Sequence, residues 1–183
     1  MVRVYLDIET TSQKADDGMI IAIGIIKGDV PEVKFIESFE EEKRALEWLG
    51  RELKDCDEIV TWYGSGFDIP FLITRAVFHG IELNITGIPM LDLCEWSRGV
   101  LLLNRYSLEA VANFLGIKWS KDFHGGDILS LFKLAKRGNL EARKFIVDHC
   151  REDILVLKKV HEKLSWLIED SGRGSQRKAS KGE

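Results

Sequence analysis

The chain has 183 residues and a mass of 20.9 kDa, the size of one ordinary domain. Hydrophobic residues make up 45% and charged residues 31%, a globular balance, and no apolar run reaches the ~18 residues that a membrane helix needs. The net charge of −4 divides into +3 over residues 171–183 and −7 over residues 1–170, which excludes a bulk electrostatic grip on nucleic acid. Any such ligand must meet a local patch or bound cations.

Residues 2–8 (VRVYLDI) alternate as a strand does. Residues 18–27 (GMIIAIGIIK) are almost continuously apolar and β-branched, the pattern of a strand buried on both faces. A turn at Asp29-Val30-Pro31 leads into alternation over 32–39, so the chain opens as a three-stranded meander. Glu40 to Leu53 places Ala45, Leu46, Trp48, Leu49 and Leu53 at helical spacing, with acids in the first turn to complement the helix dipole. Residues 57–63 predict another buried strand. The glycines of YGSGFD then turn the chain into a helix over 68–79, stopped by Gly80.

Residues 88–93 (IPMLDL) read as a last short strand. Beyond it the pattern is helical. Ser107 caps a helix closed by Gly116, Gly126 to Arg137 forms another closed by Gly138, and Asn139 caps a long one from Leu140 to about Ile168. Residues 171–183 hold no apolar residue beyond one Ala and are expected to be a disordered basic tail. The order predicts an α/β domain over 1–170. Its core is a mixed five-stranded sheet, the meander plus two strands, with helices on both faces.

Three cysteines, Cys56, Cys94 and Cys150, show no CxxC spacing and cannot all pair. They argue against a disulfide scaffold or a zinc ribbon and for a reducing cytoplasm. The N-terminus carries Arg3 and Asp7 without a signal-peptide pattern.

Carboxylates carry the chemistry. Asp7 and Glu9 share one face at the end of the first strand, where they repel each other unless a cation lies between them, or are simply wet. Asp68 opens a helix after a Gly-rich turn and reads equally well as an N-cap. That turn lacks the Lys-Ser/Thr ending of a P-loop and the three glycines of a dinucleotide loop. His149 and Asp153 stand four apart on one face of the last helix, a pairing that is also common in purely structural helices. Together the four acids could converge over one sheet edge and hold hard divalent ions.

DIETT (Asp7 to Thr11), YGSGFDIPFL (Tyr63 to Leu72) and HCREDILVL (His149 to Leu157) resemble the three Exo motifs of the DEDD, or DnaQ-like, 3′–5′ exonucleases. The likeness is greatest to the family B polymerase exonuclease domain and to YprB-type nucleases. YSLEAVANFLGI (Tyr106 to Ile117) is also similar to a stretch of this group. The resemblance implies a ribonuclease H-like fold. It implies two Mg²⁺ or Mn²⁺ ions on Asp7, Glu9, Asp68 and Asp153, and a residue near the last Asp that deprotonates the attacking water. The family uses a Tyr four before that Asp or a His five before it. Here His149 stands four before Asp153 and Asp148 takes the fifth place. His149 is the expected general base, since an unperturbed imidazole titrates near pH ~6.5.

Tyr63 replaces the family's usual Asn and reads equally as a base-stacking or a packing aromatic; Phe67 matches the motif and reads as packing more than binding. The resemblance implies that Thr10 and Thr11 touch the 3′-terminal nucleotide. Candidate phosphate contacts are Arg98, Arg105, Lys118, Lys121 and the cluster Lys133, Lys136, Arg137, Arg143 and Lys144, each equally readable as a solvated surface residue. Trp119 is a candidate binding aromatic, and His124 with Asp122 and Asp127 reads as a loop rather than a metal site. The expectation is a stand-alone 3′–5′ exonuclease acting on a nucleic acid 3′ end, with replication or repair proteins as partners and no membrane. The alternatives are a structure-selective endonuclease on the same fold and a non-catalytic partner-binding scaffold.

Overall fold

The apolar run of residues 20–27 builds the second strand of a mixed sheet. The computed structural model describes residues 1–118 and 128–179, with side chains described through residue 170. The strands are β1 (Arg3–Thr10), β2 (Ile20–Lys27), β3 (Val30–Phe35), β4 (Glu58–Thr61) and β5 (Met90–Asp92), in the order β3-β2-β1-β4-β5. β1 to β3 form the antiparallel meander, whereas β4 and β5 run parallel to β1. The helices are α1 (Phe39–Glu52), α2 (Asp68–His79), α3 (Leu93–Val100), α4 (Leu108–Phe114), α5 (Ile128–Ala135) and α6 (Leu140–Ala179).

Alternation on β1 decides the layers. Val4, Leu6 and Ile8 pack with Ala45, Leu46 and Leu49 of α1 and with Phe71 and Leu72 of α2. Tyr5 faces the other way, toward Val111 and Ala112 of α4 and Ile154, Leu157 and Val160 of α6. A third cluster joins Ile21 and Ala22 to Ile128 and Phe132 of α5 and to Ile146 and Cys150 of α6. Asp7 and Glu9, being odd-numbered like Tyr5, belong to the α6 face.

Caps hold where the sequence puts them: Ser107 accepts from the amide of Ala110 and Asn139 from Ala142, while Gly80 and Gly116 end α2 and α4 in the left-handed region. Ser38, which the sequence reading did not single out, caps α1 by accepting from the amide of Glu41.

Three expectations change. The hairpin turns at Gly28-Asp29, with Lys27 paired to Val30, so Pro31 lies inside β3 rather than in the turn. β3 is an edge strand, where a residue without an N–H is tolerated. The sequence reads Trp166, with the other tryptophans apart from Trp119, as core or semi-buried packing, but its side chain is exposed. Finally, α6 runs to Ala179, past the expected end near Ile168 and through most of the segment read as a tail. Composition registered the missing apolar face of that segment. A helix already docked can propagate beyond its packed part, since each further residue adds a hydrogen bond without a new nucleus. Trp119, Lys121, Asp122, His124, Asp127, the start of the helix expected from Gly126 and the last four residues lie outside the described residues.

Candidate active site

The site begins with a glycine. Gly24 pairs with Asp7 in the β1–β2 register, and a Cβ there would lie 2.6 Å from Cys150 Sγ. The bare strand lets α6 approach, and the Cys150 thiol reaches to 3.9 Å from the Asp7 carbonyl oxygen. That contact sets the rotation of α6. Residues 146, 150, 154 and 157 face the layers described above, and His149 and Asp153 turn toward the end of β1.

The side chains meet there. His149 Nε2 lies 3.3 Å from Glu9 Oε1 and 4.0 Å from Asp153 Oδ2. One donor atom from each of Glu9, His149 and Asp153 falls within 4.8 Å of the others. Asp7 Oδ2 and Asp153 Oδ1 are shielded from solvent. Asp68 comes from the neighbouring strand connection, and its position contradicts the capping alternative. The residue ahead of α2 is Phe67, with no side-chain cap, and the Asp68 carboxylate instead accepts from the amide of Ile8, between Asp7 and Glu9.

Electrostatics agree with convergence. Burial pushes the Asp68 carboxyl up to about 7, against the pull of its own amide and that of Ile8, and Asp92 adds to the rise. The Cys150 thiol is raised well above its ordinary value, first by burial and then by Asp7, Glu9, Asp153 and Asp68 in turn. One thiol therefore senses all four carboxylates. It stays protonated and offers no thiolate ligand. The donor set that remains is carboxylate oxygen with one imidazole, which fits Mg²⁺ or Mn²⁺ better than a thiophilic metal. Asp148, at the family's alternative position for the base, is instead held on the surface by Lys144 at 2.7 Å and Arg151 at 3.0 Å.

The other expected residues surround this centre. Glu9, Thr10, Thr11 and Phe67 line one cavity of about 250 Å³ together with Ile8, Ser12, Gln13, Ile128 and Leu129. The Thr hydroxyls are committed to their own loop: Thr10 donates to the Ser12 carbonyl and Thr11 accepts from the Met19 amide. Phe67 also packs against Phe71, with ring centroids 5.6 Å apart. Tyr63 is exposed, at φ 61°. Among the candidate phosphate contacts, Lys144 pairs with Asp148, Arg143 with Glu37, and Lys136 lies by the Phe132 ring. Lys118 lines a separate cavity with Ile117, Lys159, Glu162 and Lys163. Arg98 stands beside Tyr63.

Two residues escaped sequence reasoning. Gly24 was visible as a lone glycine within a buried strand, the usual mark of close backbone approach. Asp92 was visible as an acid followed three residues on by Glu95, at a strand-to-helix boundary. It accepts from the amides of Tyr63, Ser65, Cys94 and Glu95 and from the Ser65 hydroxyl.

A mixed five-stranded sheet carrying acids at the end of its first strand, joined by an acid and a histidine from a C-terminal helix, defines a nuclease-like class of protein. The family model of the RNase H superfamily matches residues 4–165, and the chain belongs to that superfamily. It is 33% identical over 110 residues to a DNA polymerase of Methanocaldococcus jannaschii, covering 49% of this chain and 7% of the polymerase. It is 27% identical over 162 residues to an uncharacterised protein of the same archaeon, covering 84% of this chain and 90% of that one. Among solved structures, the family B DNA polymerase of Pyrobaculum calidifontis superposes with a TM-score of 0.72 at 21% identity, over 90% of this chain and 24% of the polymerase. That likeness shows the fold. It agrees with the resemblance of the three motifs to the DEDD exonucleases. Among the described residues, no helix is long and apolar enough to cross a membrane.

Proposed function

We propose that the protein is a metal-dependent 3′–5′ exonuclease that hydrolyses the terminal phosphodiester of DNA or RNA and releases nucleoside monophosphates. The observation that carries the reading is the meeting of Glu9, His149 and Asp153 within 4.8 Å, beside the buried Asp68. Asp7, Glu9, Asp68 and Asp153 would hold two Mg²⁺ or Mn²⁺ ions. Such ions, when bound, supply charge to stabilise a developing phosphorane and make water a better nucleophile.

The chain's own residues do the rest. His149 is the base that takes the proton of the attacking water; its Nε2 lies within reach of Glu9 and Asp153. Thr10, Thr11, Tyr63 and Phe67 position the terminal nucleotides, the threonines through the loop that they shape. Burial around Asp68 keeps competing water out. Three free cysteines support a cytoplasmic setting, and replication or repair proteins are the partners that this reaction would serve.

The test is a panel of 3′- and 5′-labelled DNA and RNA oligonucleotides, single and double stranded, with Mg²⁺ or Mn²⁺. Stepwise shortening from the 3′ end is expected. Intact substrate, or cleavage unaffected by Asp7→Ala, would overturn the proposal, and cleavage of a circular single strand would turn it toward an endonuclease.

A further inference from the structure

The connection between β4 and α2 contains the one non-glycine residue among the described residues with a positive φ, Tyr63 at 61°. A bulky side chain there is strained by roughly 1–2 kcal/mol, and such strain persists only where the surroundings enforce it. Asp92 is the enforcer. One carboxylate oxygen accepts from the Tyr63 amide at 2.9 Å, and the other from the Ser65 amide at 3.0 Å and the Ser65 hydroxyl at 2.5 Å. The turn closes with the amides of Gly66 and Phe67 donating to the Tyr63 carbonyl.

The strain aims a ring. The Tyr63 ring lies over Gly66, where a Cβ would come within 2.4 Å of its Cζ, so a side chain at 66 would displace it. The ring is nevertheless 45% exposed, and the Arg98 guanidinium carbon sits 5.6 Å from its centroid. Among the described residues Arg98 pairs with Glu95, three residues back on an exposed helix face, a contact worth little. Tyr63 follows β4 and Arg98 lies on α3, which follows β5, so the pair stands beyond the carboxyl ends of strands parallel to β1, the edge at which Asp7, Glu9 and Asp68 stand.

We propose that Tyr63 and Arg98 form a shelf for a single-stranded nucleic acid, on which a base stacks and a phosphate is paired, with Asp92 as the positioning residue that sets the ring. The proposal rests on the nuclease reading for its substrate class. An aromatic face beside a guanidinium supplies what a flexible strand offers in repetition, a π surface and an anion, without reading sequence.

Fluorescence anisotropy of labelled oligo-dT and oligo-U, in chelator so that nothing is cleaved, tests it. Tyr63→Ala weakens binding roughly five-fold or more, and Tyr63→Phe keeps it, because stacking needs the ring and not the hydroxyl. Arg98→Ala weakens binding and reduces the slope of log Kd against log salt by about 0.7. Asp92→Asn weakens binding in the native background and adds nothing further to Tyr63→Ala. Absence of binding by the native protein, unchanged binding in Tyr63→Ala, or equal losses in Tyr63→Ala and Tyr63→Phe, would overturn the shelf. Binding with the expected pattern but no hydrolysis with either metal would overturn the nuclease reading and leave the shelf standing.

Discussion

Replacing Asp68 by Asn should stabilise the metal-free protein above neutral pH. The Asp68 carboxyl is buried and titrates at about 7, against an ordinary value of 3.8. The gap is about three pKa units, and at ~1.36 kcal/mol per unit the folded protein loses about 4 kcal/mol by ionising this group. Between pH ~4 and ~7 the folded state holds a proton that the unfolded state has released, so stability falls as pH rises through that window and then levels. Asn removes the proton and keeps an oxygen for the Ile8 amide. In EDTA, urea unfolding of Asp68→Asn and the native protein should therefore coincide near pH 4 and diverge to several kcal/mol by pH 8, with the variant more stable. Saturating Mn²⁺ should close most of that gap, adding about 2.7 kcal/mol to the native protein at 100 times its Kd and little to the variant. A pH-independent difference between the two, or a less stable Asn variant at pH 8 in EDTA, refutes the account of Asp68 as a buried carboxylate that needs a cation.

Gly24→Ala should force Cys150 and α6 outward, costing about 1–3 kcal/mol in thermal unfolding and lowering Mn²⁺ affinity in calorimetry; Gly24→Ala combined with Cys150→Ala should recover much of both. Arg75 and Glu42 form a fully buried pair at 2.7 Å, and Arg75 also holds the Ala15 carbonyl of the loop after β1. Arg75→Met should cost about 3–5 kcal/mol in urea unfolding, because it takes the guanidinium from the buried Glu42 carboxylate and leaves it to His79 and the Ile20 amide. His161 is buried against the Tyr5 hydroxyl at 2.8 Å, and burial, then Arg3, pulls its pKa below the usual 6.5. Below pH ~6.5 the unfolded chain takes a proton that folded His161 refuses, so Tm should fall with acid, and His161→Gln should flatten that slope.

The sequence made the sheet legible because its strands differ in kind. The unbroken run at 20–27 could only be an interior strand, and the alternation at 2–8 placed Asp7 and Glu9 on one face. The glycine caps at 80 and 116 marked helix ends by backbone freedom alone. What sequence could not weigh was the choice at Asp68 between a cap and a site, because both ask for the same residue at the same turn. The structure removes the cap by where the carboxylate points, toward the Ile8 amide of β1. Asp92 escaped for a similar reason: its value lies in donors from Tyr63 and Ser65, some thirty residues earlier, which no local pattern connects. His149 was placed by spacing on the helix, and the packing of Cys150 against Gly24 explains why that face, rather than the one with Asp148, is turned inward.

The order in which these parts leave the ribosome has its own consequence. Asp7, Glu9 and Asp68 are synthesised well before the helix that begins at Leu140 and carries Asp153. A nascent chain can form most of the sheet and still lack His149 and Asp153. On the nuclease proposed above, cleavage would be withheld until the last helix has docked across the sheet, so half-made or clipped molecules would spare the nucleic acids around them.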